Sequence, residues 1–449
     1  MLNIGIDLGV TSKHKAQIRD EKGTKVRHDF SFSTSAEELD TLFGHALKDS
    51  PEGTKLRLIL EPTEMSWFPV TVYGKSQGHQ VVRVKSQKAH QLREYYKKYG
   101  KSNKLDAKAL AMVPVVDGED SLEEVFLPDA KAFALDRRCR QRERITREIA
   151  RVKNRISSLF HWLCPGLMDC FADKYGEVAI AFYRRYANPF KAKKLGLEGI
   201  TRFFNRLGNR DSELAQRVYQ AVLGACALYE GAGEWVDFDQ LQDELTEELR
   251  LLAQRQKAQA RVNAQIKRLY KQVHPSGNIE TIPGIGEVLG STLMGIIADP
   301  GRFHSEVKAR GYIGFCPRQD DSGEGSKKGL PATKEGPPRF RWATYMAGDT
   351  ARQWDPQMAK IYYEQMVYKG NSHTQAVCAV GTHLVGRILA VLKEDRPYQL
   401  RDPEGRPISK KEAKELIRER FTVPQEVRDR TRTRRSRRKK RRRRRRTYR

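Results

Sequence analysis

Asp7 stands at the end of a short apolar run, LNIGID, with Gly9 close behind, so its carboxylate is presented where a ligand can approach the backbone. Glu61 closes a second run, LRLILE, and its apolar predecessors place it at the edge of a buried sheet beside Asp7. Two acids at neighbouring strand ends repel unless a cation neutralises them, and their hard oxygens suit Mg2+. A third acid, Asp106 in KSNKLDAKALA, shares a helical face with Asn103 three residues earlier, so both can point at one site. Asp117 falls roughly 16 Å further along that axis, with Pro114 between, and is left out of the metal centre. Each acid also has a plain alternative: a strand-end Asp is as often a turn former, and Asp106 alone reads as a surface acid in a basic helix.

A candidate nucleophile, Ser322, lies in the polar, glycine-rich CPRQDDSGEGSKKG just after the apolar GYIGF. No histidine shares the loop, so an activating base or metal must come from another domain or chain; the alternative is a flexible loop without chemistry. Upstream, Pro283-Gly284-Ile285-Gly286 sits between two helical stretches. It resembles a helix-hairpin-helix turn, in which Gly284 and Gly286 let backbone N–H groups meet a phosphate, although such a turn also serves as a plain connector. Tyr95, Tyr96 and Tyr99 interleave with Lys97, Lys98 and Lys101, a pattern suited to stacking on a nucleic acid and neutralising it, and equally to a half-buried amphipathic helix.

The elements that must hold these residues are of two kinds, α/β and then all-α. Residues 1 to 125 read as a mixed sheet with flanking helices, from the β-type runs LNIGIDLG, KVRHDFSFS, KLRLILE and HQVVRVK. From 126 to 275 a long helical hairpin is expected. Ile145, Ile149, Val152, Ile156 and Leu159 alternate four- and three-residue spacing until Pro165, and Leu241, Leu245, Leu249, Leu252, Val262, Ile266, Leu269 and Val273 return with the same pattern. This fits an antiparallel coiled coil, or half of one that awaits a partner chain. Between the arms, AFYRRYANPFKAKK reads as a solvated helical insert. Residues 276 to 400 form a third, helical domain, and 401 to 449 a turn, a last helix and an arginine tail that includes Arg441 and Arg442. That tail has no apolar residues to bury and is expected to be a disordered arm that binds polyanions.

The chain has 449 residues, 39% of them hydrophobic, which is enough for real cores. Its formal charge of +28 implies a polyanionic partner. Arg428 to Arg449 carry 16 bases and one acid, so +13 remains on the other 427 residues and the body is basic in its own right. The six cysteines are scattered without C-x-x-C pairs, and neither a zinc module nor a disulfide framework is indicated. They read as ordinary buried or half-buried thiols. There is no P-loop and no H-E-x-x-H, so neither an ATPase of that type nor a zinc protease is expected. No apolar run of the ~18 residues that a membrane span needs is expected anywhere in the chain, and a cytoplasmic, nucleoid-associated protein without a membrane partner is expected.

In combination, GIDLG, EPTEMSWFPV, KSNKLDAKALA, the PGIG turn, GYIGFCPRQDDSG and ARQWDPQ resemble the DEDD-type transposases of bacterial insertion sequences, the IS-one-ten family of bridge-RNA-guided recombinases. The resemblance runs to about residue 425. It implies a RuvC-like, RNase H-type domain whose four metal-binding positions are Asp7, Glu61, Asn103 and Asp106. Position 103 departs from the family's Asp: an amide oxygen still ligates Mg2+ but brings no charge. It also implies a catalytic role for Ser322, which would attack a DNA phosphodiester and conserve the bond as a phosphoserine, so that no ATP is needed. The partners implied are donor and target DNA, a noncoding bridge RNA and further copies of the chain, a dimer that becomes a tetramer in the synaptic complex, with the coiled coil as the dimerisation element.

The leading expectation is therefore a Mg2+-dependent DNA recombinase that moves its own element under RNA guidance, base pairing supplying the sequence readout. The alternative is a RuvC-type nuclease that cuts DNA junctions hydrolytically and forms no covalent intermediate.

Overall fold

Alternation along LNIGID sets the architecture around it, because successive side chains of a strand point to opposite faces. Ile4 and Ile6 are fully buried on one face, and Gly5 lies on the other. The computed structural model describes residues 1–61, 65–96, 103–118, 122–231, 234–316, 321–322, 325–326 and 330–431. They form two compact units, Met1–Leu127 and Pro128–Arg449.

The first unit contains β1 (Leu2–Asp7), β2 (His14–Arg19), β3 (Phe30–Phe32), α1 (Ala36–Leu47), β4 (Leu56–Leu60), α2 (Trp67–Ser76), β5 (Gln80–Arg83), α3 (Ser86–Tyr96), α4 (Asn103–Ala111) and α5 (Val113–Asp117). The sheet order is β3-β2-β1-β4-β5. β1 to β3 run antiparallel in sequence, whereas β4 and β5 continue parallel to β1. Leu39, Leu42 and Phe43 of α1 and Val70 of α2 pack with Ile4, Ile6 and Leu58 on one side. Ala89 and Leu92 of α3 and Ala109 and Leu110 of α4 pack with Ile59 on the other, which gives three layers. β2 was not among the expected strands, because HKAQIR carries three basic residues in six. Pairing on both sides makes it an interior strand, and Ala16 and Ile18 supply its buried positions.

The second unit contains α6 (Ala130–Leu163), α7 (Glu177–Tyr186), α8 (Pro189–Arg206), α9 (Ser212–Leu228), α10 (Phe238–Val273), α11 (Glu287–Ile297), α12 (Glu306–Ile313), the short strands β6 (Asp321–Ser322) and β7 (Gly325–Ser326), α13 (Pro338–Ala351), α14 (Pro356–Val367), α15 (His373–Glu394) and α16 (Lys410–Arg420). α6 and α10 are long antiparallel neighbours. Arg155 grips Glu248 through two hydrogen bonds of 2.7 and 2.9 Å, Glu148 meets Arg255 at 3.1 Å, and Gln259 donates to Thr146 at 2.8 Å. The periodic residues face inward: Ile156, Leu245 and Leu252 are fully buried. A single apolar core extends from Leu135 to Val423, so residues 276–400 are not separated from the hairpin by a core of their own.

Two expectations change here. The insert AFYRRYANPFKAKK is not merely solvated: Phe182 and Tyr183 are fully buried in an aromatic cluster with Phe171 and Phe204. Gln242 of α10 secures the break between α7 and α8, donating to Tyr183 O (2.9 Å) and accepting from Asn188 N–H (2.9 Å). α15 is long and apolar enough to cross a membrane, with a mean hydropathy of 1.5, where no apolar stretch of that length was expected. Half of that stretch is buried, and Val377, Val380, Leu384 and Ile388 belong to the core shared with α13 and α14, as befits a central helix of a globular unit. All six cysteines are free, and Cys316 is exposed rather than buried.

Candidate active site

The register of β1 and β4 pairs Ile6 with Leu60, so Asp7 and Glu61 are the next residues on adjacent parallel strands. Alternation directs both to the face of Gly5 and Ile59, the face covered by α3 and α4. Asp106 lies in the first turn of α4. That helix reaches β1 because Gly5 has no side chain: a Cβ there would stand 2.2 Å from Ala107 O and 2.3 Å from Ala111 N. The contact seats Asp106, adjacent to Ala107, beneath the strand that carries Asp7. Asn103 is the first residue of α4, one turn before Asp106.

The carboxylates differ in their surroundings. Arg93 of α3 donates from Nη1 to Glu61 Oε2 at 2.8 Å, and its Nε lies 3.7 Å from Asp106 Oδ1. The Asp106 side chain is 7% exposed and that of Glu61 19%. Asp106 Oδ1 is buried without a hydrogen-bond partner among the described residues. An unsatisfied buried carboxylate oxygen is costly, and a cation is what would satisfy it. Three carboxylates also supply the hard oxygens that Mg2+ prefers, so the residues present fit a divalent ion. As placed, however, no three His, Cys, Asp or Glu side chains among the described residues are gathered into a cage. Asp117 is paired with Lys88 at 2.8 Å, away from this group.

Two further residues hold the segment that follows Asp7. Gly9 N–H donates to His14 Nδ1 at 3.0 Å, which leaves the ring proton on Nε2, 2.7 Å from Thr34 Oγ1. Burial holds the His14 pKa below 6.5, with Glu38 opposing, so the ring is a neutral acceptor. Sequence reasoning found neither His14 nor Arg93. A signal existed for Arg93: with Ala89 and Leu92 it completes an i, i+3, i+4 set, which puts a charge on the buried stripe of α3.

Ser322 sits in the second unit, at the end of β6, paired with Gly325 across a hairpin with two intervening residues, where the sequence suggested an unstructured loop. The excursion that carries it is pinned at its base. Thr333 N–H donates to Cys316 O (2.8 Å), Lys334 N–H to Gly314 O (3.0 Å), and Arg341 of α13 donates to Lys334 O (3.0 Å). Gly284 has φ +90, and a Cβ there would lie 2.5 Å from Ala347 O, so this glycine lets the turn press against α13. Gly286 is the exposed N-cap of α11. In ARQWDPQ, Asp355 caps α14, accepting from Gln357 and Met358 N–H (2.8 and 3.2 Å) and from the Tyr398 hydroxyl, while Gln357 donates to Asp402 O at 3.0 Å. That motif therefore has a structural role. Lys97, Lys98, Tyr99, Lys101, Arg441 and Arg442 lie outside the described residues.

The chain is similar to known proteins along most of its length. Residues 4–165, which include Asp7, Glu61, Asn103 and Asp106, match a transposase model of the DEDD type, and residues 276–363, which include Gly284 and Ser322, match the Transposase IS116/IS110/IS902 family. An uncharacterized 43.6 kDa protein of insertion element IS110 from Streptomyces coelicolor is 22% identical over 90% of this chain and 96% of its own. One of 44.8 kDa from insertion element IS116 of Streptomyces clavuligerus is 23% identical over 72% and 78%. A pilin gene-inverting protein of Moraxella lacunata is 27% identical over 27% of this chain and 38% of its own. The order of the motifs, the two matched regions and the near full-length relative agree: the chain belongs to the IS110 family of transposases, enzymes that act on DNA.

Proposed function

We propose that this transposase recombines DNA by Mg2+-dependent cleavage and strand exchange through a phosphoserine at Ser322, guided by a noncoding bridge RNA. The observation that carries the metal-dependent part is the register of β1 and β4, which sets Asp7 and Glu61 side by side on the face where Gly5 admits α4 and Asp106. A sheet ordered β3-β2-β1-β4-β5, with an antiparallel meander followed by parallel strands, supports a RuvC-like reading of this unit. Asp7, Glu61, Asn103 and Asp106 would hold the metal, which when bound supplies positive charge to the transferring phosphoryl group and the leaving oxygen.

The chain's own residues do the rest. The Ser322 oxygen attacks phosphorus, the P–O bond to the deoxyribose breaks, and the departing oxygen leaves as a hydroxyl with a proton replacing the lost bond. Attack by a different DNA hydroxyl on the phosphoserine reverses these steps and returns Ser322 with its proton, so the phosphoester count is unchanged. The β6–β7 pairing, with Ser322 opposite Gly325, supports this role by giving the serine a paired backbone. The name of the Moraxella relatives, which invert a gene, favours recombination over simple cutting.

Tyr95, 78% exposed on α3, supports an aromatic contact to unpaired RNA bases, with Lys97, Lys98 and Lys101 beside it in sequence. Gly286 at the N-terminus of α11, Gly284 behind it and the arginine tail with Arg441 and Arg442 are the proposed phosphate contacts. The α6–α10 pair, which exposes Trp162 in the last turn of α6, serves as a coiled coil between copies, giving dimers and a synaptic tetramer.

The test is incubation of the protein with its flanking transcript, donor and target DNA and Mg2+, followed by denaturation. A protein–DNA adduct that disappears in Ser322→Ala is expected. Free cut ends without an adduct would instead indicate a hydrolytic nuclease of the RuvC type.

A further inference from the structure

Arg93 touches two of the acids, and it does so unequally. Its hydrogen bond to Glu61 Oε2, at 2.8 Å, is a charge-assisted contact of full strength. Its approach to Asp106 Oδ1, at 3.7 Å, is too long for a hydrogen bond and leaves that buried oxygen unsatisfied. A planar guanidinium on α3 thus satisfies one carboxylate and only neutralises the other. A compact divalent ion, which takes oxygen ligands at about 2.0–2.1 Å, would satisfy both.

We propose that Arg93 is the resident counter-cation of the metal-free site, occupying the space between Glu61 and Asp106 and yielding it when a divalent ion binds. The inference rests on the metal-centre reading above and adds a residue to it. Three features support it. The Arg93 side chain is only 22% exposed, yet it lies in the last turn of α3, so a change of rotamer brings its head to solvent. Its neighbours Ala89 and Leu92 fix the helix face, which leaves the long side chain as the mobile part. Finally, one guanidinium reaches both carboxylates, Nη1 to Glu61 Oε2 at 2.8 Å and Nε to Asp106 Oδ1 at 3.7 Å, which puts a positive charge between them.

Two carboxylates so near one another destabilise the metal-free fold when nothing positive lies between them. Arg93 removes that cost and in return competes with the ion, since apparent affinity falls with the fraction of molecules in which the site is open. The nearby Lys88 and Lys108 are otherwise engaged, because Lys88 pairs with Asp117 and Lys108 lies over the Tyr96 ring at 4.6 Å.

The experiment uses the full chain, stripped of metal, with Mn2+ as the probe. Binding is read by calorimetry and unfolding by a thermal scan in EDTA and in Mn2+. In Arg93→Gln, Mn2+ binds roughly tenfold more tightly than in the native chain, the metal-free melting temperature falls by about 5 °C, and Mn2+ restores it. Arg93→Lys, which keeps the charge, melts near the native temperature without metal and binds Mn2+ with intermediate affinity; it carries the test should Arg93→Gln not fold. Unchanged or weaker Mn2+ binding in both variants overturns the proposal for Arg93, provided native binding is lost in Asp106→Asn. Absence of any Asp106-dependent Mn2+ binding in the native chain overturns the metal-centre reading, and this proposal with it.

Discussion

Gly5 and Ala107 meet backbone to backbone: a Cβ on Gly5 would lie 2.2 Å from Ala107 O, closer than any real side chain comes. This contact sets the depth at which α4 lies on the central strand, and with it the place of Asp106. Gly5→Ala must push α4 outward. The expected cost is about 1–3 kcal/mol of stability, typical of overpacking, with Asp106 displaced from Asp7. Thermal unfolding and Mg2+-dependent cleavage should fall together; a variant that melts normally and cleaves at the native rate would show that α4 sits elsewhere.

Asn103 stands one turn before Asp106, at the position where the resemblance to DEDD-type transposases implies an acid. Because affinity for hard cations rises with ligand charge, Asn103→Asp should strengthen divalent-ion binding by about tenfold. Titration with Mn2+ reads this directly. A variant with unchanged affinity would remove position 103 from the metal centre.

Conversion of Asp7 to Asn, or of Asp106 to Asn, should lower strand cleavage by at least roughly a hundredfold, the scale on which loss of a transition-state electrostatic contact acts. Affinity for DNA, measured in EDTA, should persist. Retained cleavage in either variant would argue against metal-dependent chemistry at this site.

His14 predicts a dependence on pH. Burial depresses its folded pKa below the unfolded value of 6.5, because a charged ring would lose water and the Gly9 N–H would lose its acceptor. A base with a depressed pKa contributes stability in full above 6.5 and loses it as pH falls through the folded value. The melting temperature should therefore drop between pH 7 and about 5, and His14→Gln should drop less. The slope should not vanish, since His79, His274 and His383 are depressed by burial in the same direction. Equal slopes in the variant and the native chain would count against the His14 assignment.

On the proposed reading the arginine tail serves nucleic-acid affinity rather than the chemistry. Truncation after Thr431 removes 14 basic residues. The salt dependence of DNA binding should become shallower by about 0.9 in log–log slope for each phosphate that is no longer neutralised, while strand exchange at low salt continues. Complete loss of exchange at low salt would give the tail a role in catalysis.

Much of this protein is legible along the chain. The spacing of Ile145 through Leu159 and of Leu241 through Ile266 determines two long helices and their inner faces, because one periodicity and one burial pattern coincide. The ends of LNIGID and LRLILE place Asp7 and Glu61 at strand termini for the same reason. Only the tertiary structure decided the rest. β2 is an interior strand because its neighbours supply the pairing that its charged sequence does not advertise. The turn at Gly284 presses on α13, and Asp355 of ARQWDPQ is a helix cap held by Tyr398. Arg93 meets Glu61 from 32 residues away. Periodicity records which face of an element is buried. It does not record which element covers that face, and the partners of a carboxylate or a glycine are chosen by that packing.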